Sequence, residues 1–311
     1  MSQDAAAGVS GEAIWLDGEF VGWEDAQVHI LTHTLHYGLG VFEGIRCYRT
    51  EDERSAVFRL SEHVQRLFQS AHINLMEVPF SREVVHEACL ETLRRNHLTE
   101  GYLRPLIFLG AGSMGLNPAG NPVRVAVVGW EWGAYLGQEG MERGIRAKVS
   151  TYMRHHVNAK MTKGKTCGDY VNSVLAKREA LLDGFDEAIM LDTHGLVSEA
   201  TGENLFAVRD GTLRTPPLQT VLGGITRDAV MKMARDAGMD VVEAPMTRDE
   251  LYISDEVFLT GTAAEVTPVR EIDRRQIGEG RRGPVAKQLQ EGFFRAAKGQ
   301  DPRYVDWLTY L

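Results

Sequence analysis

At 311 residues the chain is long enough for two domains and a large buried core. Its 43% apolar and 25% charged residues are the balance of a soluble globular protein. Lys and Arg number 34 against 43 Asp and Glu, and the net charge of −9 argues against a sequence-independent hold on nucleic acid or on an anionic membrane.

The segment Met1 to Ala13 is small and polar, without the basic cluster and apolar core of a signal peptide, and no later apolar stretch approaches the ~18 residues that cross a bilayer. Ile14-Trp15-Leu16 and Phe20-Val21 flank Asp17-Gly18, the favoured turn pair of a β-hairpin. A second β-region is expected from Val41 through Ile45 to Tyr48, with Val57 to Leu60 as its partner. Ser61 sits where an N-cap belongs, ahead of a helical face of Val64, Leu67, Phe68 and Ala71. Ser81 holds the same position before Val84, Val85, Ala88, Cys89 and Leu93. Leu103 to Leu109 and Val123 to Val128 have strand length. Gly133 to Gly140 is glycine-rich and suits a linker.

Beyond it, the strand-like Ile145 to Val149 precedes a helix over Asn172 to Leu182, closed by Asp183-Gly184. Ala188 to Leu191 reads as a buried strand, and Leu205 to Val208 with Thr212-Leu213 as a hairpin around Asp210-Gly211. Thr226 is placed to cap a helix containing Val230, Met233 and Ala234 that ends at Gly238. Val257 to Leu259 is a short strand, and Pro284 to Ala297 is helical in pattern. The expected class is α/β (α+β): a small domain over 1–131, a linker over 132–140 and a larger domain over 141–311.

The three cysteines (Cys47, Cys89, Cys167) are odd in number and lack CxxC spacing, which fits reduced thiols in a cytoplasmic protein with neither a disulfide framework nor a zinc site. No HExxH or comparable metal spacing occurs, so no metal is expected. Lys165 lies in a glycine-punctuated turn, Gly164 to Tyr170, just before a helix. A lysine there becomes a nucleophile when burial or a neighbouring cation lowers its pKa, but a solvated side chain is the ordinary reading, and local sequence does not choose among Lys160, Lys163 and Lys165. Glu199 and Glu203 have the spacing of an acid/base pair or of two surface glutamates. Gly223 to Asp228 runs into a helix N-terminus, where free N–H groups and the dipole favour a phosphate. Gly261-Thr262 is another small-residue turn. Neither turn matches GxGxxG or GxxxxGK[ST].

Taken together, HYGLGVFEGIRCY (36–48), FRLSEHVQRL (58–67), YLRPLIF (102–108), WGAYLG (132–137), KTCGDY (165–170), SEATGENLF (198–206), GITRD (224–228) and GTAAEVTPVREID (261–273) resemble, in order, the fold-type IV pyridoxal-phosphate enzymes. The resemblance is strongest to branched-chain amino acid aminotransferases. It implies two domains with substrate in the cleft between them, pyridoxal 5′-phosphate as cofactor, and ping-pong transamination of leucine, isoleucine and valine with 2-oxoglutarate.

By that resemblance Lys165, with its Lys-x-x-Gly-x-Tyr spacing, carries the cofactor as a Schiff base. Tyr170 bonds the cofactor's phenolic oxygen, Glu199 faces the ring nitrogen, and Arg66, Ile225, Thr226 and Thr262 hold the phosphate. The same comparison makes Phe42, Tyr102, Trp132 and Tyr135 the lining of an aliphatic pocket, with Gly44 leaving room and Tyr37 reaching in from a neighbouring subunit. Arg104 would take glutamate's distal carboxylate, and Thr262 and Ala263 the α-carboxylate. The loop Gly112 to Leu116 would reach the neighbouring site, which implies a homodimer or larger homo-oligomer. Thr166-Cys167-Gly168-Asp169 replaces the family's frequent Ala-Gly-Gly-Asn, placing a thiol near the cofactor. Within the same fold a D-amino acid or (R)-amine transaminase or an aminodeoxychorismate lyase is the alternative; in a different class stands a binding protein without activity.

Overall fold

The computed structural model describes residues 9–133 and 136–311. They fall into two compact units, one within Met1–Gly133 joined by Tyr304–Leu311, the other within Ala134–Arg303. Among the described residues no helix is long and apolar enough to cross a membrane.

The first unit opens on the expected hairpin, β1 (Ala13–Leu16) and β2 (Glu19–Gly22). Asp17 and Gly18 have φ of 51° and 102°, the positive pair that a two-residue turn with strand-matching twist requires. Short helix α1 (His33–Tyr37) precedes β3 (Gly40–Phe42) and β4 (Ile45–Arg49). The single β-region expected there is broken at Glu43-Gly44, because the Glu43 side chain turns into the protein while its N–H stays bonded to the Pro105 carbonyl at 2.9 Å. Then come β5 (Ser55–Phe58), α2 (Leu60–Ile73), α3 (Arg82–Arg95), β6 (Gly101–Leu109) and β7 (Val123–Trp130).

Helices α2 and α3 lay Val64, Leu67, Ala71, Val85, Ala88 and Leu93 on a sheet face of Ile45, Leu103, Ile107, Val125 and Val127, one continuous core. Each large side chain so buried contributes about 1.5–3 kcal/mol of transfer free energy. Ser81 caps α3, its Oγ accepting the Val84 N–H at 3.4 Å. Ser61 does not cap α2. That helix begins at Leu60 behind Arg59, which is held left-handed (φ 53°) with its N–H on the Trp307 carbonyl. The docking residue comes from the chain's far end, where strand Leu308–Tyr310 pairs antiparallel with β5. The last eight residues thus join the first unit, not the 141–311 domain expected for them, because the edge of β5 has open ladder groups for a strand to satisfy.

The second unit holds α4 (Gln138–Arg143), β8 (Ile145–Val149), α5 (Tyr170–Leu182), β9 (Glu187–Leu191), β10 (Val197–Ala200), β11 (Asn204–Arg209), β12 (Thr212–Thr215), α6 (Ile225–Asp236), β13 (Asp240–Glu243), α7 (Arg248–Tyr252), β14 (Glu256–Gly261), β15 (Glu265–Ile272), β16 (Arg275–Gln276) and α8 (Pro284–Ala297). Helix α4 starts inside the stretch expected to be a linker. The sheet runs β10-β9-β8-β15-β14-β11-β12-β13, with β8 parallel to both its neighbours and β12 parallel to β13. A core of Ile145, Ile189, Leu205, Val257, Leu259 and Val269 fills one side, and Phe206 stacks on Phe258 at 5.1 Å. Thr226 proves to lie in the first turn of α6, with Gly224 at the cap. A Cβ on Gly224 would fall 2.0 Å from Asn204 Oδ1, so a side chain there would displace the amide that bonds Glu199 and the Leu222 carbonyl.

Candidate active site

Lys165 follows a run of turns and bends, and a short 3-10 turn at Cys167–Asp169 carries the chain into α5, whose first residue is Tyr170. This turn folds Tyr170 back over the lysine. Lys165 Nζ donates to the Tyr170 hydroxyl and stands 4.7 Å from its ring centroid. The two neighbouring lysines separate by geometry. Lys163 is tied to the Leu218 and Val221 carbonyls, the latter at 2.8 Å. Lys160 lies 3.5 Å from the Asp169 carboxylate, its pKa lowered by burial and by Arg154. Lys160 and Lys165 line the same cavity, together with Arg154, His155, Tyr170, Glu199 and Leu222.

Glu199 sits on β10 at a bulge between Val197 and Glu199 that turns its side chain into the cavity wall. Both its oxygens are engaged. Oε1 accepts from Arg154, whose Nε is 2.9 Å away and whose Nη1 reaches Ser173 Oγ at 2.9 Å. Oε2 accepts the Leu222 N–H at 3.2 Å and Asn204 Nδ2 at 3.3 Å. Asn204 also donates to the Leu222 carbonyl, so the approach to α6 is fastened to Glu199. An amine beside a hydroxyl, with a fixed carboxylate in another wall, can condense with an aldehyde and hold a protonated ring nitrogen.

Behind this wall lies a second acidic group. Glu187 is fully buried and takes Lys177 Nζ at 2.5 Å and Thr201 Oγ1 at 2.7 Å. Glu203 is 5% exposed, and burial together with the Glu187 charge pushes its pKa up to about 8. A carboxyl that keeps its proton when folded and loses it when unfolded costs stability as pH rises from the ordinary glutamate range toward 8. Glu203→Gln should therefore unfold at higher urea than the parent at pH 8, with the gain shrinking toward pH 4.5. Paired urea titrations across that range check the slope; a gain that is flat in pH would mean Glu203 is ionised when folded.

The remaining candidates belong to the first unit or lie elsewhere in the second. Arg66 forks onto buried Glu43, Nε to Oε1 at 2.6 Å and Nη2 to Oε2 at 2.9 Å, and His63 Nδ1 is 2.7 Å from the same Oε2. Phe42, Tyr102, Arg104 and Trp132 cluster, with Tyr102 and Trp132 edge to face at 4.6 Å and Arg104 Cζ 4.7 Å from the Phe42 ring. Gly44 abuts them, since a Cβ there would meet Tyr102 Oη at 1.8 Å. Tyr37 is exposed at the end of α1, beside His33 at 4.6 Å. The loop after β6 carries the exposed Met114 and Leu116, and His33 Nε2 is 2.8 Å from the Gly115 carbonyl. Tyr135 lies outside the described residues. Ile225 and Thr226 are buried in the first turn of α6, and Thr262 and Ala263 form the turn joining β14 to β15. Neither pair is among the residues lining the Lys165 cavity.

Residues 40–272 match the family described as Amino-transferase class IV. The branched-chain-amino-acid aminotransferase of Pseudomonas aeruginosa is 50% identical over 298 residues, 96% of this chain and 97% of the relative. The enzyme of the same name from Escherichia coli is 49% identical over 300 residues, covering 96% and 97%. The chain is a class IV aminotransferase. Within that class it belongs with the branched-chain-amino-acid aminotransferases. The crystal structure of the Escherichia coli enzyme superimposes with a TM-score of 0.94 at 48% identity, covering 96% of this chain and 99% of that one. The branched-chain amino acid aminotransferase of T.th., with pyridoxamine 5′-phosphate, gives 0.95 at 49% identity, covering 97% and 99%.

Several polar residues of the aminotransferase escaped sequence reading. Arg154, 45 positions from the Glu199 it holds, is one. Glu43 is another: it looks like a strand residue yet orients Arg66 and His63. A third is Arg46, whose guanidinium takes the carbonyls of Trp132 and Gly133 at 3.2 and 2.9 Å. A charged residue inside an apolar strand pattern was the one signal available for Glu43 and Arg46. Arg154 had none.

Proposed function

We propose that this aminotransferase exchanges the amino group between L-leucine, L-isoleucine or L-valine and 2-oxoglutarate, yielding branched 2-oxo acids and L-glutamate, with pyridoxal 5′-phosphate held on Lys165. The observation that carries the reading is the Lys165 amine bonded to the Tyr170 hydroxyl in a cavity walled by the clamped Glu199 carboxylate. That donor set fits the cofactor: an amine for an aldehyde, a hydroxyl for a phenolic oxygen, a carboxylate for a ring nitrogen. The bound cofactor supplies an aldehyde for the incoming amino group and a ring that draws electrons from its α-carbon.

Glu199, held by Arg154, Asn204 and Leu222, keeps the ring nitrogen protonated. With the cofactor bound, Lys165 Nζ would move the proton between the substrate α-carbon and the cofactor's C4′ carbon within each half-reaction. Ile225 and Thr226 offer N–H groups at the start of α6, and Thr262 a hydroxyl, to the phosphate. Arg66 supplies the cation, with one edge of its fork fixed by Glu43. Phe42, Tyr102, Trp132 and Tyr135 line the aliphatic pocket, with room left by Gly44 and with Tyr37 of a second copy. Arg104 receives the distal carboxylate of glutamate, and Thr262 and Ala263 the α-carboxylate. The active form is a homodimer or a larger homo-oligomer, and the compartment is the cytoplasm.

The test is a donor panel with 2-oxoglutarate as acceptor: L-leucine, D-alanine and (R)-phenylethylamine. L-leucine is expected to bleach the protein's yellow colour and to turn over at least about tenfold faster than either rival. Preference for D-alanine or the amine would replace this reading with another reaction of the same fold.

A further inference from the structure

In the first unit, Tyr102 stands opposite Trp130 in the β6–β7 ladder, Arg104 opposite Val128, and Phe42 opposite Leu106. Side chains two apart on a strand share a face, so Phe42, Tyr102, Arg104 and Trp130 project from one side of the sheet. The alternate residues Leu103, Ile107 and Val127 fill the core on the other side. Arg104 Cζ lies 4.7, 5.6 and 5.9 Å from the ring centroids of Phe42, Tyr102 and Trp130. Inside this cage two N–H groups, Arg104 Nε and Trp130 Nε1, are buried and have no acceptor among the described residues. Arginine and indole are donors only, so neither can satisfy the other. Rings lend a guanidinium some electrostatic support but do not replace an oxygen acceptor. Two neighbouring donors left open by the described residues, one of them charged, suit an anion with two oxygens.

We propose that Trp130 is a specificity-determining residue: its indole N–H, beside Arg104, receives the distal carboxylate of the dicarboxylic co-substrate and has no task when a branched aliphatic side chain is bound. The inference rests on the proposed reaction and adds to it the second donor by which one pocket accepts both an acid and a hydrocarbon.

Trp130→Phe removes the N–H and keeps a ring to pack against Tyr102 and Trp132, which lie 5.3 and 5.9 Å from it. In the holoenzyme, the two half-reactions are followed separately by the cofactor's absorbance. The ratio of kcat/KM for glutamate to that for leucine should fall about tenfold, the size of one charge-assisted hydrogen bond. Inhibition by glutarate should weaken by the same factor and inhibition by 4-methylpentanoate should not. Trp130→Tyr, which brings back a donor, should recover part of the ratio. Proportional loss on both substrates, or an unchanged ratio, overturns the proposal. If Trp130→Phe does not fold, the wild-type indole resonance that is missing from Trp130→Tyr decides: it should move downfield with glutarate and stay with 4-methylpentanoate, and the absence of that contrast overturns the proposal. A parent enzyme that ignores leucine altogether would instead sink the proposed reaction, whatever Trp130 does.

Discussion

Lys165→Ala should lower leucine–2-oxoglutarate turnover by at least about a thousandfold, because the proposed role gives this one amine both the anchoring of the cofactor and the transfer of the α-proton, and loss of a general base alone is worth about 10²–10⁴. The three lysines of the segment differ in their partners. Lys163 is committed to the Leu218 and Val221 carbonyls, and Lys160 is engaged by Asp169, whereas Lys165 is the one bonded to the Tyr170 hydroxyl. The variant should still fold, since the Arg154–Glu199 clamp and the Asn204–Leu222 bond do not pass through the lysine. Steady-state rates at saturating donor, with the helical signal as a control for folding, make the comparison. A near-normal rate would move the chemistry to Lys160, the other amine of the cavity, and would end the proposed role of Lys165.

Glu43→Ala should destabilise the protein by about 3–5 kcal/mol at pH 7, the usual cost of removing one member of a buried charge cluster. Both carboxylate oxygens are in use, the residue is 0% exposed, and the partners left behind are the Arg66 guanidinium and His63. Burial alone would raise the Glu43 pKa, but Arg66 and His63 overcome it and hold the carboxyl well below the ordinary range. The stabilisation is therefore complete above the unfolded glutamate's pKa of 4.5 and is lost as pH falls from there toward the folded value. Urea titrations at pH 7 and at pH 3.5 should show a smaller gap between parent and Glu43→Gln at the lower pH. An equal gap at both would mean that folding leaves the carboxyl's pKa where it is in the unfolded chain. If Arg66 holds the cofactor phosphate, Glu43→Gln should also weaken cofactor uptake, because the fork that orients the guanidinium loses its charge-assisted partner.

Much of this molecule was legible in the chain as written. Local rules carried the hairpin at Asp17-Gly18, the Ser81 cap and the helix from Pro284 to Ala297, since each depends on a few consecutive residues. Where such rules failed, a distant segment had intervened. Ser61 loses the cap of α2 to Arg59, whose N–H is taken by Trp307, and Thr226 loses that of α6 to Gly224, where Asn204 leaves no room for a side chain. The order of eight motifs carried the resemblance to the family, and by that resemblance the Lys-x-x-Gly-x-Tyr spacing points to Lys165.

What the chain alone determined is what short-range geometry and motif order encode: the alternation of elements and the family, with the expectation for Lys165 following from the family resemblance. What only tertiary structure decided is the company each charge keeps. Arg154 on Glu199 and Glu43 between Arg66 and His63 are pairings across as many as 45 positions, and the orphan N–H groups beside Phe42 and Tyr102 are donors that no pairing among the described residues reaches. Hydrogen bonds and desolvation are properties of neighbours in space, and a linear pattern holds no record of which distant oxygen will face a given nitrogen.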